Sequence, residues 1–120
     1  MISYSVYKVI HLLGVFLTLG ALFGWTMHYF NGGQKQNAAK KLLGIMHGVG
    51  LVFVLIAGFG LLARIDQSAM QLWVGLKLLI WLSFGMYTIL LHKGILKPKL
   101  SWFVILALAT SAVILAQLKI

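Results

Sequence analysis

An up-down bundle of four membrane-spanning helices, an all-α membrane protein forming one domain over residues 1–120, is the fold this sequence predicts. Three observations carry the prediction. The chain is 62% hydrophobic and only 9% charged, with a mean hydropathy of +1.02; a soluble fold could not hide that much apolar surface from water. The apolar residues fall into separate long runs, each close to the about 20 residues a helix needs to cross a bilayer. The gaps between runs are short and hold most of the charges and the single proline, so neighbouring helices must run antiparallel.

The first run is Val6–Tyr29. It is too long for a signal-peptide core, and Lys8 is its only early basic residue, so an uncleaved span is expected. His11, Gly14, Thr18, Ala21, Trp25 and His28 recur at steps of three and four, which puts them on one helix face. A small-and-polar stripe on a membrane helix is expected to face the bundle interior. Asn31-Gly32-Gly33-Gln34 then ends the helix.

The second run, Leu42–Ala63, carries His47, Gly50, Val54 and Ala57 on one face. Gly44 and Gly48 make a small-xxx-small pair, with Gly58 and Gly60 further on. Such residues allow close helix contact or leave room for a flat ligand. Asp66-Gln67-Ser68 reads as a tight turn, with Asp66 or Ser68 capping the next helix.

The third run, Leu72–Leu91, aligns Lys77, Trp81, Phe84 and Thr88, with His92 nearby in angle. Pro98 is expected to stop the helix before the fourth run, Leu100–Leu118. That last run has Thr110 and Gln117 but no ionisable group in its middle.

The formal charge of +9 does not indicate a nucleic-acid partner, because the charges are distributed by loop. Lys35, Lys40 and Lys41 follow the first run, and Lys93, Lys97 and Lys99 follow the third, whereas Arg64 and Asp66 nearly cancel. Lysine-rich loops stay on the cytoplasmic side. Both termini are therefore expected outside, in a multi-pass protein of a bacterial inner membrane whose lysines meet anionic lipid headgroups. The chain has no cysteine, which excludes disulfides, thiolate chemistry and Cys-ligated zinc or iron–sulfur clusters.

Lys77 is the first candidate for chemistry. It lies within the apolar segment Leu72–Leu82, and the chain's one acid is Asp66. A lysine at the centre of a bilayer costs roughly 2.5–3.5 kcal/mol on insertion scales, so an intramembrane lysine marks a functional site by default. His11 and Lys77 each lie five residues into their runs from the same side of the membrane. At about 1.5 Å per residue, both sit about 7–8 Å below that boundary. His28, His47 and His92 belong to the opposite half. His28 and His92 read as boundary residues, whereas His47 lies deeper. Histidine is a common ligand to haem iron, an amine can bind iron too, and a helical bundle supplies apolar walls for a macrocycle. Met27-His28 and Met46-His47 suggest copper instead, since thioether and imidazole suit that metal.

Three segments resemble the HemJ-type protoporphyrinogen oxidases and the CopD-like membrane proteins. They are Tyr7–Gly14 with Gly20–Phe23, Lys40–Ile45, and Leu72–Leu79. The resemblance covers roughly Tyr7–Lys93 and implies a haem b site in which His11 and Lys77 occupy the positions of a first-span histidine and a third-span lysine. The family's arginine after the Gly-Leu-Phe stretch has no counterpart, because Gly24, Trp25 and Thr26 follow Phe23.

Taken together, these readings predict a haem b-binding membrane protein with a redox role, either electron transfer or porphyrin-linked oxidation. His11 and Lys77 are the metal ligands expected first, and His47 next. A porphyrin or redox partner is implied, and a homo-oligomer is compatible. A copper or small-solute transport module and a non-catalytic membrane subunit are the competing functions.

Overall fold

The computed structural model describes residues 3–33, 40–64 and 72–118. Four helices fill them: α1 (Tyr4–Phe30), α2 (Lys40–Arg64), α3 (Leu72–His92) and α4 (Pro98–Leu118). Each is long and apolar enough to cross a membrane, and the chain is a multi-pass integral membrane protein. The expected Asp66-Gln67-Ser68 turn, the Asp66 or Ser68 cap, and Gln34 and Lys35 lie outside the described residues.

Local chemistry sets the helix ends. The Ser3 hydroxyl accepts from the Val6 N–H and caps α1. At the other end of α1, Gly32 takes a left-handed φ of +79°. The Gly32 and Gly33 N–H groups then return to the carbonyls of Tyr29 and His28, which satisfies orphan acceptors of the last turn. Gly94, at φ +72°, ends α3 in the same way: its N–H and that of Ile95 return to Leu91 and Leu90. Pro98 therefore does not stop α3. It opens α4, two residues before the run the sequence marked, because proline's missing N–H costs nothing in the first turn.

The chain runs up and down. One end of the bundle, here the terminal end, gathers the starts of α1 and α3 and the finishes of α2 and α4. The other, lysine-rich end carries Lys40, Lys41, Lys93, Lys97 and Lys99. α1 and α2 pack most closely, crossing at Gly14 and Gly50. A Cβ on Gly14 would lie 2.7 Å from the Gly50 carbonyl, and one on Gly50 would lie 2.5 Å from Thr18 Oγ1. The expected Gly44–Gly48 contact does not form, since a Cβ on either would meet nothing within 4 Å. The close helix approach uses the face that holds His47 and Gly50, and Gly44 and Gly48 are turned off it.

The main core occupies the lysine-rich half: Ala21, Leu22, Trp25, Tyr87, Leu91 and Ile105. A buried hydroxyl chain ties three helices together there. Thr26 Oγ1 is hydrogen-bonded to Ser101 Oγ at 2.9 Å, and the Tyr87 hydroxyl to the same oxygen at 2.7 Å. Tyr87 also donates to the Ser101 carbonyl. A smaller cluster of Leu62, Trp73 and Val74 lies toward the terminal end. On α4, Ser101 and Ile105 are fully buried whereas Val113 and Ile114 are exposed. The bundle is tight at one end and open at the other.

Candidate functional site

A cleft of about 600 Å³ opens in the terminal half of the bundle, with all four helices contributing walls. Its size falls in the range of about 300–1,000 Å³ typical of cofactor and ligand sites. Thr18, Leu51, Trp81 and Phe84 mark its deep end, and Tyr4, Lys8, Trp73, Lys77 and Gln117 its rim. Tyr4 and Thr18 are separated by about 21 Å along α1 at the helical rise.

His11 and Lys77 line this one cleft. The third-span stripe of Lys77, Trp81 and Phe84 is only half-buried, because it faces the cleft rather than a packed neighbour. The inward stripe of α1 is buried from Gly14 to Trp25, as its spacing predicts.

The His11 ring is held by α2. Its Nδ1–H donates to the Val54 carbonyl at 3.0 Å. A helix carbonyl is normally shielded by the side chain one turn on, and here that residue is Gly58. A Cβ there would already touch the His11 ring, at 3.4 Å from Cε1. With Nδ1 protonated, a neutral His11 keeps its lone pair on Nε2. A backbone carbonyl on the far ring nitrogen is the arrangement that orients metal-binding histidines.

The deep end is built by a reciprocal pair. The Trp81 indole donates to the Leu51 carbonyl at 2.9 Å, and His47 Nε2–H donates to the Phe84 carbonyl at 3.0 Å. His47 is buried and does not line the cleft. Its Nε2 is committed to the backbone, and its ring packs 5.8 Å from that of Trp25. His47 therefore stands under the cleft as a support, separate from His11 and Lys77.

His28 and His92 lie at the lysine-rich boundary, away from the cleft. The Tyr29 hydroxyl is hydrogen-bonded to His92 Nδ1, and Trp25 meets His92 edge-on. His28 stacks edge-on against Tyr29. Met27 is exposed and Met46 packs against the core. Among the described residues, no three His, Cys, Asp or Glu side chains converge. A metal carried by a macrocycle, which brings four donors itself, needs only an axial ligand.

Two features of the rim escape a residue-by-residue reading of the sequence. The Lys77 Nζ lies 5.8 Å from the Trp73 ring centroid, and the Lys8 Nζ lies 5.9 Å from that of Tyr4. Each pair is an aromatic residue followed four positions later by lysine, at the start of a helix that begins at this end. The repeated spacing is the signal that could have found Lys8. In addition, the buried Trp73 indole N–H has no hydrogen-bond partner among the described residues, and an unpaired buried donor costs about 1–3 kcal/mol.

Compared with known proteins, the chain matches no family model, no curated protein and no solved structure.

Proposed function

We propose that this protein binds haem b in the terminal-end cleft and serves a redox role in the membrane, by electron transfer or porphyrin-linked oxidation. The observation that carries the reading is the His11 Nδ1–H bond to Val54 inside an apolar cleft lined also by Lys77. Haem iron, when bound, supplies one-electron chemistry. The residues of the chain do the rest. Val54 and Gly58 position the His11 ring, whose Nε2 would hold the haem iron. Lys77 supplies the second polar contact on the facing wall. Leu51, Trp81 and Phe84 keep water from the deep end. The resemblance to HemJ-type and CopD-like proteins supports the same pair of residues. The charge distribution supports an orientation with both termini outside.

The test is the visible spectrum of the purified protein, with and without added haemin. A Soret band that His11→Ala abolishes or shifts supports the reading, as does its survival in His28→Ala and His92→Ala. Lys77→Met alters the spectrum if the amine touches iron. A wild-type protein that purifies without haem and takes none up overturns the proposal. If all these variants keep the wild-type spectrum, the ligand becomes His47.

A further inference from the structure

We propose that Lys8 and Lys77 form a carboxylate-reading rim. The cleft then selects amphiphiles that carry an acid at the end nearest the bundle terminus, and Lys77 recognises that acid instead of the iron. The inference rests on the cleft holding a porphyrin, and it assigns the rim a role that haem ligation does not require.

Two observations point the same way. Both lysines line the cleft, whose remaining walls are almost entirely aliphatic and aromatic. Both ammoniums lean toward the terminal end. Helix side chains tilt toward the N-terminus of their helix, and α1 and α3 both start at this end. Lys77 accordingly lies over Trp73 and Lys8 over Tyr4, each one turn nearer the end than its own backbone. His11, bonded to Val54 on the opposite helix, lies a turn deeper than Lys8. The two ammoniums thus lie nearer the bundle terminus than His11, where the acid of a ligand held at His11 would meet them. Cations flanking an apolar slot match a body that prefers hydrocarbon and an anionic head that prefers the interface.

The experiment compares metal-free protoporphyrin IX with its dimethyl ester, titrated into the detergent-solubilised full-length protein and read by fluorescence. The two probes share the apolar body and differ only in the acids, and neither carries iron. The wild type should bind the diacid about tenfold more tightly than the diester, the ratio expected of one charge-assisted contact. Lys8→Gln and Lys77→Gln should each shrink the ratio, and the double variant should bring it near one while still binding the ester, which shows that it folds. The preference should weaken with added salt. Equal wild-type binding of diacid and diester overturns the rim, even where haemin gives a His11-dependent Soret band and the haem reading stands. A diacid preference without any such Soret band keeps the rim and removes the iron. Failure of both porphyrins to bind overturns rim and haem reading together. A Lys77→Gln variant that changes the axial-ligand spectrum of haemin returns Lys77 to the iron and overturns the assignment.

Discussion

His47 and Trp81 cross between α2 and α3 in opposite directions, each donating to a backbone carbonyl of the other helix. These two helices make little other contact at this depth, because the cleft separates them. The pair sets how far apart α2 and α3 stand, and so sets the shape of the cleft's deep end. A membrane histidine that looks like a ligand in sequence acts here as a cross-brace.

Removing either brace should loosen the deep end without deleting a cleft polar group. His47→Phe and Trp81→Phe keep aromatic bulk and lose one side-chain-to-backbone bond. Interhelical bonds in membranes average about 0.6 kcal/mol, with a maximum near 1.7. Each variant should lower unfolding stability in detergent by an amount in that range. If cleft shape governs binding, His47→Phe weakens haemin uptake while retaining the His11-dependent spectrum. A complete loss of that spectrum would make His47 the ligand.

Gly58 should behave as a size gate for His11. A Cβ there meets the ring at ordinary contact distance, so Gly58→Ala should be tolerated. Gly58→Leu extends into the ring and separates it from the Val54 carbonyl. The expected result is a haemin spectrum resembling that of His11→Ala, with the protein still folded by circular dichroism. Identical spectra for the alanine and leucine variants would show that the ring's position does not depend on Gly58.

The α1–α2 crossing should tolerate no added bulk. A Cβ on Gly14 would press on the Gly50 carbonyl and Phe53 Cβ, both backbone-anchored. Gly14→Val and Gly50→Val should each cost about 1–3 kcal/mol by overpacking, read as a lower detergent-unfolding midpoint. Gly44→Val and Gly48→Val, which meet open space, should leave the midpoint nearly unchanged.

The hydroxyl chain in the lysine-rich half makes a graded prediction. Tyr87→Phe removes the bonds to Ser101 Oγ and its carbonyl, and should cost about 0.5–1.5 kcal/mol. The cleft lies at the other end, so haemin affinity should change little. A large loss of binding in Tyr87→Phe would couple the two halves of the bundle.

Topology can be read with reporter fusions. The up-down path puts residue 118 and the start of α1 at the same end. Fusions after Ile120 should report the outside, and those within residues 31–35 the cytoplasm, as the lysine distribution requires. A cytoplasmic C-terminus reverses the orientation.

The sequence by itself determined the number of helices, their approximate limits, the up-down order and the inward faces of α1 and α2. Hydrophobic length and 3.6-residue periodicity are local properties, and the membrane rewards them wherever they occur. Equal depth along α1 and α3, which start at the same end of the bundle, also paired His11 with Lys77, since helical rise is fixed. The tertiary structure decided what depth and angle leave open. It chose Gly14 and Gly50 over Gly44 and Gly48 for the close crossing, because only one face of α2 meets α1. It turned His47 into a brace, because the Phe84 carbonyl lies within reach of its Nε2. It brought Lys8 onto the rim with Lys77, because side chains of all four helices wall one cleft at the terminal end. Those outcomes depend on how far apart four helices stand, a distance set by side chains remote in sequence, and no local pattern records it.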